Sequence, residues 1–142
     1  MGFLTGKTAI ITGAGRAVLK DGSCGSIGYG IATAYAKEGA NLVITGRNVK
    51  KLEAAKQELE NLYGIKVLTV QADVCAGGDN EATVANVVKQ AVDTFGGIQV
   101  LINNAQASAS GVPLAEHTTE QFDLAIYSGL YAAFYYMKAC YP

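Results

Sequence analysis

Apolar and polar positions alternate in blocks along this chain. Four short apolar-rich runs, Thr8–Ile11, Asn41–Thr45, Lys66–Gln71 and Gln99–Ile102, read as strands. The longer amphipathic stretches Ile27–Glu38, Val49–Tyr63, Glu81–Phe95 and Thr119–Cys140 read as helices. Gly39, Gly64 and Gly96-Gly97 fall just past helix ends, where a left-handed stop residue belongs. Asn80 is expected to cap the third helix, and Thr118 or Thr119 the last. Such alternation implies right-handed crossovers and a parallel sheet covered on both faces, an α/β architecture. No linker, repeat or low-complexity tract interrupts it, so residues 1–142 read as one domain.

Chemistry enters at the strand ends. The first strand runs into Thr12-Gly13-Ala14-Gly15, and Gly25-Ser26-Ile27-Gly28 opens the first helix. Glycines in such a turn let backbone N–H groups approach a pyrophosphate, and the helix offers its N-terminus to the negative charge. The fourth strand ends in Asn103-Asn104-Ala105. A glycine-rich turn alone is a weak signal; the two strand ends together describe a dinucleotide site.

From about Leu4 to Pro142 the chain resembles the N-terminal half of a short-chain dehydrogenase/reductase. The resemblance is carried by Thr12-Gly13 with Gly28, Gly39–Ile44, Asp73-Val74, Gly97–Leu101 and Asn103-Asn104-Ala105. It implies a Rossmann-type doubly wound parallel sheet, here four strands in the order 3-2-1-4. It also implies that Gly13, Gly15, Ser26, Ile27 and Gly28 meet the pyrophosphate, Asp73 and Val74 the adenine, and Asn103 and Ala105 the nicotinamide ribose. Asp73 as a plain loop cap is the competing account.

Two departures stand out. The interval between Thr12-Gly13 and Ile27-Gly28 is lengthened by Arg16–Cys24, either a solvated surface loop or a flap that clamps the cofactor. Ser26 occupies the place of a glycine, where its hydroxyl can cap the helix or bond a phosphate oxygen. The stretch Ser26–Ala32 is similar to the enoyl-reductase branch of the superfamily, whereas Asn103-Asn104-Ala105 is similar to the carbonyl-reductase branch. The second lies nearer the chemistry and is followed. Gln106 replaces a glycine usual after that motif, either narrowing the approach or pointing outwards.

An NAD enzyme places a carboxylate at the end of the second strand. Here that position is Gly46, followed by Arg47. A missing carboxylate removes repulsion of a 2′-phosphate, and a guanidinium binds one in bidentate fashion. NADP is therefore expected over NAD, with Arg16 able to approach the same phosphate and an exposed helix-start arginine as the bland alternative for Arg47.

Composition narrows the classes further. Lys+Arg 11 against Asp+Glu 12 leaves a net charge of -1, with no electrostatic reason for nucleic acid or an anionic membrane. No apolar run spans a bilayer and no signal-peptide shape is present. Cys24, Cys75 and Cys140 have no metal-ligand spacing, and His117 is the sole histidine, so no metal site is expected and a reduced cytoplasmic setting is preferred. Cys24, though near a helix start, reads as a plain loop residue.

The resemblance also marks what is missing. Carbonyl reduction in this family uses a serine and a Tyr-x-x-x-Lys pair, with an asparagine on the preceding long helix. Lys138 follows Phe134 at that spacing, Tyr135 and Tyr136 are misplaced, and Gly129 stands at the asparagine's position. No catalytic residue is assigned; the chain reads as a cofactor-binding domain cut before the catalytic segment and inactive alone. The expected whole is an NADP-dependent oxidoreductase of a small carbonyl or alcohol substrate, with an enoyl reductase or a non-catalytic dinucleotide module as alternatives. Tyr127, Tyr131 and Phe134 form one apolar stripe expected to serve core and subunit contacts, making a homo-oligomer through the last helix. An unpaired sheet edge and an exposed apolar patch are expected with it.

Overall fold

The computed structural model describes residues 2–75 and 78–142. Strands β1 (Thr8–Thr12), β2 (Asn41–Gly46), β3 (Val67–Gln71) and β4 (Val100–Ile102) form one parallel sheet in the order β3-β2-β1-β4. The expected fold class and strand order are both observed. Helices α1 (Ile27–Lys37), α2 (Val49–Tyr63) and α3 (Asn80–Phe95) alternate with the strands, and α4 (Thr119–Ala125) and α5 (Ala132–Cys140) close the chain.

Alternation of side chains along the strands builds a core on each face. Ala9, Ile11, Leu42, Ile44 and Val67 pack against Tyr29, Ala32 and Ala36 of α1 and Leu52, Ala55 and Leu59 of α2. Ile10, Val43 and Val70 pack against Val84, Val87, Val88 and Ala91 of α3 and Tyr136 of α5. All of β1 is buried, as a central strand requires. Gly28, Ala32 and Ala36 give α1 a small-residue stripe that lets it lie close to the sheet.

Local chemistry explains the ends. Asn48 caps α2 by accepting from the Lys51 N–H, and Gly64 ends it at φ +67°. The expected cap of α3 needs correction. Asp79 accepts from the Ala82 N–H, while Asn80 lies inside the helix, buried, donating to the Cys75 carbonyl at 2.8 Å. Adjacent Asp and Asn are both good caps, and burial of the Asn decided between them.

Thr118 caps α4 with a reciprocal Gln121 bond. The single final helix of the sequence reading is instead interrupted by a π turn over Ile126–Tyr131. The Ser128 hydroxyl bonds back to the Leu124 carbonyl at 2.6 Å, a contact that distorts helices. The inserted residue also moves the aromatic stripe. Tyr127 stacks on Tyr131 with centroids 5.0 Å apart, Tyr135 lies tilted against Tyr131 at 5.9 Å, and Phe134 lies beside Tyr135. The expected edge and apolar patch are present: β4 borders the sheet, and Leu130, Phe134 and Met137 are exposed. Among the described residues no helix is long and apolar enough to cross a membrane.

Candidate functional site

The site lies at the carboxyl ends of the strands, where β1 has neighbours on both sides and connections leave in opposite directions. Thr12, the last residue of β1, organises it. Its hydroxyl accepts from the N–H groups of Asn104 (3.0 Å) and Ala105 (2.9 Å), tying the loop after β4 to the end of β1. Asn104 returns the contact, its amide donating to the carbonyls of Thr12 (3.0 Å) and Gly13 (3.3 Å). These mutual bonds hold two strand ends in one geometry.

Gly13 adopts φ +68°, a left-handed conformation that favours glycine, and turns the chain over this support. The first turn of α1 then closes on it. A Cβ at Gly28 would lie 2.1 Å from the Gly13 carbonyl oxygen and 2.6 Å from the Asn104 amide nitrogen, so no side chain fits. Ser26 caps α1, accepting from the Tyr29 N–H at 3.4 Å, and of the two roles open to its hydroxyl this structure shows the cap. Ile27, just beyond, is 76% exposed although apolar.

A cavity of about 240 Å³ opens beside this junction. Gly13, Asn104 and Ala105 form its middle. Thr45, Gly46, Arg47, Asp73, Val74 and Cys75 line the β2–β3 end, and Gln106, Ala107, Leu124 and Ser128 the other. Of the residues singled out from sequence, Gly13, Arg47, Asp73, Val74 and Ala105 are thus brought together. Gly15, Arg16, Ser26, Ile27, Gly28 and Asn103 lie outside the lining.

Gly15 faces Lys51 at the start of α2, and the Arg16 N–H donates to the Lys51 carbonyl at 2.8 Å. The Arg16 guanidinium is paired with Glu58 of α2, which also accepts from the Tyr29 hydroxyl. Bonds from Tyr29 and then Arg16 hold the Glu58 carboxyl below its usual range. Burial first, and then the Glu58 contact, raise the Tyr29 phenol above its own. Val18–Cys24 continues as a small exposed hairpin, with Val18 bridged to Cys24 and Asp21 accepting from the Ser23 N–H at 2.9 Å.

Sequence reasoning missed the hydroxyl of Thr12, the strut made by the Asn104 side chain, and Ser128. Asn104 lay inside a recognised motif, so the signal was present. Ser128 had none, because the π turn that aims it at the loop after β4 follows from contacts between distant segments. Its hydroxyl accepts from the Ala107 N–H at 2.9 Å. Tyr136, misplaced for a catalytic role in sequence, is buried against the sheet, and burial pushes its phenol up to about 12.

The donor set fits a nicotinamide dinucleotide. A glycine turn is closed so tightly that a Cβ at Gly28 is excluded, it abuts a helix N-terminus, and an open cavity beside it is lined by Arg47 at one end. Among the described residues there is no cluster able to hold a metal ion.

Known proteins place this arrangement. Over all 142 residues the chain is 61% identical to a 12alpha-hydroxysteroid dehydrogenase of a Clostridium species, covering 52% of that protein. An L-sorbose reductase of Gluconobacter frateurii, solved with NADPH and L-sorbose, is similar with a TM-score of 0.81 and 30% identity, over 99% of this chain and 48% of its own. An NAD+-bound xylitol dehydrogenase gives 0.82 at 27% identity, over 97% and 48%. The chain spans about half the length of the curated relatives it matches. A model of the short chain dehydrogenase family matches residues 7–142, and with the fold and the relatives agreeing, the chain belongs to that family of NAD(P)-dependent oxidoreductases.

Proposed function

We propose that this protein is an NADP-dependent oxidoreductase interconverting a ketone and a secondary alcohol, with residues 1–142 forming its cofactor-binding domain. The observation that carries the reading is Arg47 on the cavity rim directly after β2, with Gly46 in place of a carboxylate. The bound cofactor supplies or accepts hydride at its nicotinamide ring. The chain's residues bind and orient it. Arg47 takes the 2′-phosphate. Arg16, engaged by Glu58, approaches the same phosphate from the turn. Asp73 and Val74 flank the adenine, and the turn from Gly13 and Gly15 to Ser26, Ile27 and Gly28 takes the pyrophosphate. Asn103 and Ala105 border the nicotinamide ribose.

The identity with a 12alpha-hydroxysteroid dehydrogenase supports a steroid hydroxyl or ketone as substrate. The family's serine and Tyr-x-x-x-Lys pair are not among these residues, so the domain alone should bind cofactor without turnover. A cytoplasmic setting and a homo-oligomer joined through α5 complete the proposal, the latter supported by its exposed Phe134 and Met137.

Fluorescence titration with NADPH and NADH tests it. NADPH should bind more tightly, and Arg47→Ala should weaken NADPH about tenfold or more while leaving NADH unchanged, the worth of a charge-assisted contact. A preference for NADH overturns the cofactor assignment.

A further inference from the structure

Gln106 occupies an unusual place beside the cavity. The residues on either side of it are pinned: the Ala105 N–H donates to Thr12, and the Ala107 N–H and carbonyl both bond the Ser128 hydroxyl, at 2.9 and 3.0 Å. Backbone held on both sides fixes the point from which the exposed Gln106 side chain leaves the chain. Its side chain lies over Gly129 of the π turn. A Cβ built on Gly129 would stand 3.6 Å from Gln106 Cγ and 3.8 Å from both Cδ and Nε2. Ordinary contact distance at Cβ means that any longer side chain there, aimed the same way, runs into the carboxamide. Gly129 therefore leaves the volume that Gln106 fills, and π turns of this kind recur at functional sites.

The carboxamide is free to serve a ligand. Among the described residues nothing hydrogen-bonds it, although Gln106 lines the cavity and its amide carries two donors and an acceptor. Its position follows from topology. Arg47 leaves β2 on one side of β1, and Gln106 leaves β4 on the other. A dinucleotide whose 2′-phosphate sits at Arg47 extends across the end of β1 towards β4.

Resting on the dinucleotide reading above, we propose that Gln106, set in place by Gly129, is a cofactor-binding residue that hydrogen-bonds the nicotinamide-riboside half of the cofactor. Direct binding separates that half from the adenosine half. The Kd values of NADPH and of 2′,5′-ADP, which carries the adenosine and its 2′-phosphate alone, are measured by calorimetry for the unaltered protein, Gln106→Ala and Gln106→Met. Both substitutions should weaken NADPH about fivefold, the worth of one neutral hydrogen bond, and leave 2′,5′-ADP within about twofold. Methionine keeps the packing on Gly129 without the amide, so its agreement with alanine assigns the loss to hydrogen bonding. Gly129→Val, which crowds the carboxamide, should show the same split with an unchanged melting profile.

Equal weakening of both ligands, or no change in either, overturns the role of Gln106 while leaving the dinucleotide site standing. Failure of the unaltered protein to bind NADPH and 2′,5′-ADP overturns the dinucleotide reading and this inference with it.

Discussion

The connection from β1 to α1 holds two stretches governed by different physics. Its ends, Thr12–Gly15 and Ser26–Gly28, are closed. Thr12 and Asn104 exchange hydrogen bonds, Gly13 sits at positive φ, and Gly28 has no room for a methyl group. Its middle is open. Residues 18–25 are all exposed, and a Cβ at Gly22 would meet nothing within 4 Å. The closed part is defined by what cannot fit, the open part by how little it touches. Substitution should therefore act steeply in one and weakly in the other.

Gly28→Ala gives the largest expected effect. The new methyl would stand 2.1 Å from a backbone oxygen, which cannot move without displacing Gly13 from its place between Asn104 and α1. Overpacking against fixed backbone should cost about 3 kcal/mol or more, read from the denaturant midpoint, and NADPH binding should fall with it. A stable variant that binds normally would show that the turn yields and that the contrast with the hairpin is false.

A smaller effect belongs to the seam between the two stretches. At Arg16 the closed turn gives way to the hairpin, and its guanidinium is held to α2 by Glu58, which Tyr29 also engages. Because Tyr29 and Arg16 lower the Glu58 carboxyl in the folded chain, the unfolded chain binds a proton there first. The stabilisation is therefore present above the ordinary value of 4.5 and is lost as pH falls through the lowered folded value. Glu58→Gln should destabilise by about 1 kcal/mol near neutrality, after allowance for solvent screening, and flatten the acid limb of the melting profile. An acid limb identical to that of the unaltered chain would remove Glu58 from the seam.

What could be read in advance follows the same division. The strands and the stop glycines were legible because burial on two faces and left-handed helix ends leave local signatures, as at Ile10, Ile11 and Gly64, while the sheet order came with the family resemblance. Arg47 after β2 and Gln106 after β4 were visible as residues, yet only packing shows that both line one cavity. The cap at Asp79 and the π turn at Ser128 were not legible. Asp79 and Asn80 have nearly equal capping propensity, and the Ser128 hydroxyl that bonds back to Leu124 also meets Ala107, a partner distant in sequence. The inserted stretch Arg16–Cys24 left two readings, surface loop or flap, because composition alone does not tell where a polar loop points.

The structure favours the loop. Among the described residues, the hydrogen bonds of Val18–Cys24 run within that segment and to the Ser26 carbonyl, which accepts from the Cys24 thiol at 2.9 Å. Ala17 and Gly25 already meet, the Gly25 N–H donating to the Ala17 carbonyl at 2.8 Å. Excising Val18–Cys24 and joining these two residues should thus leave the closed ends undisturbed. The stability change should stay within about 1 kcal/mol, since shortening a solvated loop costs little contact and slightly lowers closure entropy. The Kd of NADPH should hold within about twofold, because Arg47 and the cavity lie outside the excised segment. Loss of tenfold or more in NADPH affinity, with melting unchanged, would instead make the hairpin a flap that folds over the bound cofactor, and exposed Val18 and Leu19 would be its contact surface.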